Sequence, residues 1–156
     1  MTKVMFVCHG NICRSTMAEF ILKDILKNKG IQQNFIVESC ATSTEEIWNG
    51  IGNPIYPPAQ AELKRNGIPF DTSKRAVQIT KSDYDKYDYF LCMDNNNIRN
   101  ALRILGGDPE NKVKLLLSFT ETKRDVSDPW YSRNFTTAYN DIYEGCSAFL
   151  KEISAQ

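Results

Sequence analysis

Cys8 and Arg14 stand six positions apart in the string Val7-Cys8-His9-Gly10-Asn11-Ile12-Cys13-Arg14-Ser15. The string lies between an apolar run, Val4 to Val7, and an amphipathic stretch that begins just past Arg14. A strand-loop-helix turn aims unsatisfied backbone N–H groups inward, and the helix dipole adds positive potential at the same point. Arg14 can grip two oxygens of an anion held there with its planar fork. Gly10 and Asn11 tolerate the left-handed backbone that lets successive amides converge. Cys8, at the end of the strand, is then a thiolate set beneath a bound phosphate, which is a nucleophile for phosphoryl transfer. A bare Cys-x5-Arg match is common by chance, with Cys8 a buried strand residue and Arg14 a surface cation. The whole string in its strand and helix context is far more specific.

The elements that must position this loop follow from periodicity. Val4 to Val7 reads as a fully buried strand. In the helix after Arg14, Thr16 and Glu19 are spaced as a capping box. Ala18, Ile21, Leu22, Ile25 and Leu26 form one apolar face, and Gly30 sits where a C-cap is expected. Phe35 to Val37 is a second strand, and a Gly- and Pro-rich loop runs from Thr42 to Pro58. A helix spans about Ala59 to Asn66, a strand Tyr87 to Met93, a helix Asn95 to Leu105 and a strand Val113 to Leu117. A polar loop from Ser118 to Ser132 precedes a last helix with Ala138, Ile142, Cys146, Phe149 and Ile153 on one face. Strands alternating with helices imply one α/β domain over residues 1–156, three layers (α/β/α) around a four-stranded parallel sheet. Ligands of such sheets sit beyond the carboxyl ends of the strands.

Composition narrows the function. The 156 residues fit a single core, and 19 basic against 19 acidic residues leave no net charge to attract nucleic acid or an anionic membrane. No apolar run is long enough to span a membrane, and Met1-Thr2-Lys3 leads straight into the first strand without a signal peptide. Five cysteines, an odd number, point to a reduced cytoplasmic protein. One histidine and no Cys-x-x-Cys pair argue against structural zinc; no metal or other cofactor is expected for the reaction either.

The string from Cys8 to Ser15 resembles the signature loop of the low-molecular-weight protein tyrosine phosphatases. The resemblance extends from Lys3 to about Ile153 through Glu38-Ser39-Cys40-Ala41-Thr42-Ser43, Lys64-Arg65-Asn66-Gly67-Ile68, Gln78-Ile79-Thr80-Lys81, Tyr89-Phe90-Leu91-Cys92-Met93-Asp94 and Asp128-Pro129-Trp130-Tyr131. It implies phosphate binding by His9, Gly10, Asn11, Ile12, Cys13, Arg14 and Ser15, and a bracing network of Asn11, Ser15 and Ser39. It also assigns Asp128 as general acid and base. An acid near the leaving oxygen protonates the phenolate and then activates the water that hydrolyses the phosphocysteine. Without the resemblance, Asp128-Pro129 would be an ordinary turn; Asp125 competes for the role but lacks the following proline. Ser15 can both cap the helix and donate to the Cys8 thiolate. Asp94 matches a family aspartate, expected to be structural.

Trp48, Trp130 and Tyr131 are the expected walls of the pocket, whose ring faces would stack on a substrate phenyl group; otherwise these rings would close the core. Cys13 is a candidate redox partner for Cys8, or a small space filler. Four features depart from the family pattern. Thr16 replaces the proline after Arg-Ser. Tyr56-Pro57-Pro58-Ala59 lacks the usual aspartate and arginine. Lys74 and Val77 replace a histidine and an arginine, and the loop after Thr42 is longer by a few residues around Glu45 to Gly50.

The expected reaction is hydrolysis of phosphotyrosine through a phosphocysteine on Cys8, by a monomer acting on phosphotyrosine proteins. A thiol-dependent arsenate reductase shares the fold but needs a relay of further cysteines after the third strand, where only Cys92 is present. A non-catalytic phosphate-binding module would not need Cys8, Arg14 and Asp128 together. Protein-arginine phosphatases carry threonine at the Ile12 position, so isoleucine favours an aryl ester.

Overall fold

A computed structural model describes residues 1–155. The chain runs β1 (Thr2–Cys8), α1 (Arg14–Asn28), β2 (Phe35–Ala41), β3 (Ile47–Trp48), β4 (Ile51–Gly52), α2 (Pro57–Arg65), β5 (Tyr89–Cys92), α3 (Asn95–Leu105), β6 (Val113–Leu115), α4 (Pro129–Ser132) and α5 (Phe135–Ser154). Four strands form one parallel sheet in the order β2-β1-β5-β6. The expected three-layer α/β/α architecture is the one observed.

β1 alternates between the two faces of the sheet. Val4, Phe6 and Cys8 pack with Met17, Ile21, Leu63, Ile142 and Phe149 of α1, α2 and α5. Met5 and Val7 pack on the other side with Phe90, Cys92, Ala101 and Leu105. A parallel strand covered on both faces is apolar throughout, which is why Val4 to Val7 lacks a polar alternation. The chain leaves β1 toward β2 on one side and returns to β5 on the other. The loops after β1 and β5 therefore diverge at a crevice, the ordinary ligand position of an open α/β sheet.

Several local expectations change. Thr16 and Glu19 do not form a capping box. The N-cap of α1 is Cys13 and no side chain caps it; Thr16 donates to the Cys13 carbonyl, and Glu19 is drawn into a buried network. The first-turn amides of α1 thus stay free of side-chain partners at the loop. β2 runs four residues beyond Val37, to Ala41, because all seven of its residues pair with β1. Chain after Leu115 turns into a 3-10 segment instead of continuing the strand. The Gly- and Pro-rich loop after Thr42 contains an antiparallel hairpin, β3–β4, turned by Asn49 and Gly50, both at positive φ. The helix expected from Ala59 begins at Pro57, since proline suits the first helical positions.

Candidate active site

The loop between β1 and α1 is built around Asn11. Its φ of 58° is left-handed, as its turn position requires. Its side chain donates to Ser15 Oγ at 2.8 Å and Ser39 Oγ at 2.9 Å and accepts from the Val77 amide at 3.1 Å. Ser39 Oγ in turn donates to Glu19 Oε1 at 2.6 Å. Lys23 meets Glu19 at 2.6 Å, and Lys74 donates to the Ser39 carbonyl at 3.1 Å. The buried carboxylate of Glu19 is thereby paired, as burial demands. The network is complete despite the departures from the family pattern. Lys74, which stands in place of histidine, brings a cation to the network, and Val77 joins it through its backbone amide alone.

Cys8 Sγ lies at the centre of the loop, 3.0 Å from Ser15 Oγ and accepting from the Asn11 amide at 3.2 Å. Ser15 is fully buried behind the sulfur and does not line the cleft. Arg14 is also buried; it donates to the Val126 carbonyl at 3.1 Å and to Asp94 Oδ2 at 2.8 Å. Burial alone would pull the Arg14 pKa down. The charges of Cys8, Asp128 and Asp94 outweigh it, and the guanidinium is held above its usual range. Asp94, expected to be structural, both holds Arg14 and caps α3 through Asn97. Its position directly after β5, beside the crevice, was the available signal.

Asp128 Oδ2 sits 3.5 Å from Arg14 Nη2. Its other oxygen accepts from the Trp130 amide at 3.0 Å, so the acid is the N-cap of α4 and its carboxylate is fixed by the turn that Pro129 begins. Asp125 instead binds the backbone and side chain of Asn95 and stays off the cleft.

These groups line one cleft of about 560 Å³: Cys8, the loop from His9 to Arg14, Asp94, Asp128, Trp130 and Tyr131, with Glu45, Glu46, Asn96, Asn97 and Asn100. Trp130 packs on Tyr56, ring centroids 5.3 Å apart, and under Arg133. Tyr56, which stands where the family pattern has aspartate, is a support that the sequence did not signal. Trp48 does not line this cleft; it lies on β3, in the hairpin, with 79% of its surface exposed. Glu45 and Glu46 line the wall on that side, and His9 meets Glu45 at 3.0 Å.

The remaining thiols are unlike Cys8 in their surroundings. Burial, then the Cys8 charge, pushes the Cys13 thiol up. Burial likewise raises Cys92, which is fully enclosed beneath the sheet end.

The family model for low molecular weight phosphotyrosine protein phosphatase matches residues 3–156. The chain belongs to the low molecular weight phosphotyrosine protein phosphatase family. It is 40% identical over 154 residues to the human low molecular weight phosphotyrosine protein phosphatase, covering 96% of this chain and 94% of that protein. It is 37% identical to low molecular weight protein-tyrosine-phosphatase YfkJ of Bacillus subtilis, covering 100% and 98%. The crystal structure of YfkJ superposes with a TM-score of 0.92 over 99% of this chain and 96% of that one. The low molecular weight protein tyrosine phosphatase of Streptococcus pyogenes superposes with 0.85 at 37% identity over 97% and 93%. Phosphatases of this family are enzymes, and the cleft at Cys8 is the candidate active site of this member.

Proposed function

We propose that this chain hydrolyses phosphotyrosine and aryl phosphate monoesters through a phosphocysteine on Cys8. The observation that carries the reading is the convergence of Cys8, Arg14 and Asp128 in one cleft, with the Asp128 carboxylate 3.5 Å from the guanidinium. In the first step the Cys8 thiolate attacks phosphorus. Arg14 and the loop amides hold the equatorial oxygens as charge redistributes over them. The S–P bond forms as the P–O bond to the phenol breaks, and Asp128 gives its proton to the leaving oxygen. In the second step Asp128 takes a proton from water, which attacks the phosphocysteine and releases phosphate and the thiolate. His9, Gly10, Asn11, Ile12 and Cys13 form the rest of the cradle, and Ser15 stabilises the sulfur from behind.

Trp130 and Tyr131 are the proposed walls for the substrate ring; both are substantially exposed and both line the cleft. The protein is proposed to act as a cytoplasmic monomer on phosphotyrosine proteins. No helix among the described residues is long and apolar enough to cross a membrane.

The second reading, arsenate reduction, is disfavoured by Cys92. A relay thiol must be reached by the attacked sulfur, and Cys92 is completely buried and held protonated by burial. The test compares turnover of phosphotyrosine, phosphoserine and phosphoarginine peptides, with arsenate reduction as a control. Cys8→Ser is expected to abolish p-nitrophenyl phosphate turnover while phosphate still binds. Turnover that survives Cys8→Ser would falsify the assignment.

A further inference from the structure

From Thr120 to Asp128 the chain forms no helix or strand, so its backbone groups must be held by other parts of the fold. Asp125 accepts from the amide and side chain of Asn95 at the start of α3. The Val126 amide donates to the Met93 carbonyl, just past β5, at 2.8 Å. The Val126 carbonyl accepts from Arg14 at 3.1 Å. The Ser127 amide donates to Asp141 Oδ2 at 3.1 Å; Asp141 lies on α5 and does not line the cleft. The other oxygen of Asp141 accepts from Arg124 Nη2 at 2.8 Å. Glu144, one turn further along α5, meets the same nitrogen at 3.3 Å.

The Val126 carbonyl and the Ser127 amide belong to one planar peptide group. That group is gripped from both sides, by a cation at its oxygen and by a carboxylate at its nitrogen. Hydrogen bonds joined in this way polarise one another, so the Asp141 charge makes the Val126 oxygen a better acceptor for Arg14. With the plane fixed, the chain enters Asp128 in one direction, the one that leaves its carboxylate 3.5 Å from Arg14. Only 13% of the Asp141 side chain is exposed, so water competes weakly for these bonds. Arg124 pairs with the same carboxylate and holds it in place.

We propose that Asp141 is a positioning residue for the reaction: it fixes the peptide between Val126 and Ser127 and thereby aims Asp128 at the leaving oxygen. Asp141 acts through the backbone alone, and the proposal rests on the acid role given to Asp128 above.

A misaimed acid harms a substrate in proportion to its leaving group's need for a proton. The experiment therefore measures kcat/KM on phosphotyrosine, whose phenol has a pKa of about 10, and on 2,4-dinitrophenyl phosphate, whose phenolate leaves unprotonated. Asp141→Ala should lower the value about tenfold on phosphotyrosine and no more than about twofold on the dinitrophenyl ester. Arg14 keeps its anchor at Asp94, so the grip on phosphate survives. A role in stability alone would lower both values by the same factor. Asp141→Asn keeps the side-chain shape and one acceptor oxygen; it should show the same selectivity in milder form, and it serves as the test if alanine prevents folding. In an Asp128→Ala background, Asp141→Ala should add no selectivity, since no acid is left to aim. Equal losses on both esters, or a selective loss that persists in full without Asp128, would overturn the proposal alone. A wild type inactive on both esters, or an Asp128→Ala variant that loses no more on phosphotyrosine than on the dinitrophenyl ester, would overturn the reading beneath it.

Discussion

Arg14 donates to Asp94 Oδ2 at 2.8 Å, so the cation at the floor of the cleft is anchored by the connection between β5 and α3. Two pieces of chain eighty residues apart thus fix one guanidinium. Arginine has five N–H donors in a rigid fork, and anchoring it through Val126 and Asp94 leaves the others to meet an anion in a set orientation. Preorganisation of this kind removes a cost that would otherwise fall on binding.

Asp94→Ala should therefore act on both stability and catalysis. It removes the partner of a buried cation and the N-cap of α3, together about 3 kcal/mol in urea denaturation. Asp94→Asn keeps an acceptor for the Asn97 amide. It should recover the share of stability due to the cap while kcat/KM stays about tenfold down, because the neutral amide no longer holds Arg14 as firmly. Equal activity of wild type and Asp94→Asn would show that Asp94 is only a helix cap.

Asn11→Ala is expected to cost about 3 kcal/mol. The left-handed φ of 58° suits asparagine better than alanine, and the change leaves Ser15, Ser39 and the Val77 amide short of a buried partner. Because Ser15 and the Asn11 amide both touch Cys8 Sγ, kcat should fall with stability. Asn11→Asp tests the network more finely. It keeps the acceptor for Val77 but loses both donated bonds and places a second carboxylate near Glu19. A mutant with unchanged midpoint and rate would remove Asn11 from the centre of the loop.

The signature loop, the sheet and the helix faces were legible because each is a local pattern: an apolar run, a 3.6-residue period, a turn pair at Gly10-Asn11. Other features depend on chain that meets only in three dimensions. Asp94 reads as a helix cap from its neighbours, and its bond to Arg14 exists only because β1 and β5 are adjacent. Glu19 reads as a capping residue three positions after Thr16, yet Ser39 and Lys74, from β2 and a distant loop, draw it inward. Trp48 lies off the cleft because Ile47 and Trp48 pair with Gly52 and Ile51 as a hairpin, a local pairing that the Gly- and Pro-rich composition of the loop does not announce. Tyr56 supports Trp130 through packing across α4, which no spacing in the chain encodes.

Glu62 gives a prediction about acid stability. Its side chain is buried on α2 and accepts from Arg65 at 2.6 Å, Asn66 at 2.8 Å and Thr136 of α5 at 3.0 Å. Burial alone would raise its pKa; the bonds from Arg65, Thr136 and Asn66 outweigh it and hold the carboxyl below its usual range. With the folded value below the unfolded one, its contribution is fully present above about pH 4.3 and is lost as pH falls through the folded value. Glu62→Gln should lower the Tm at neutral pH yet flatten its fall in the acid range. Parallel Tm curves for the two proteins below pH 5 would refute the assignment.

Cys13 carries the last prediction. It shares the cleft with Cys8, and its thiol is pushed up by burial and then by the Cys8 charge. Peroxide is expected to convert the Cys8 thiolate to a sulfenic acid and to be itself reduced to water. Attack by the Cys13 sulfur would then form a disulfide, with a second water leaving. The bond would block the nucleophile yet be restored by a dithiol, sparing Cys8 from the irreversible sulfinic state. Wild type treated with peroxide should recover activity on reduction and show two fewer free thiols before it. Cys13→Ser should lose activity irreversibly several-fold faster under the same dose. Equal irreversible loss in the two proteins would leave Cys13 as a side chain that fills space at the start of α1.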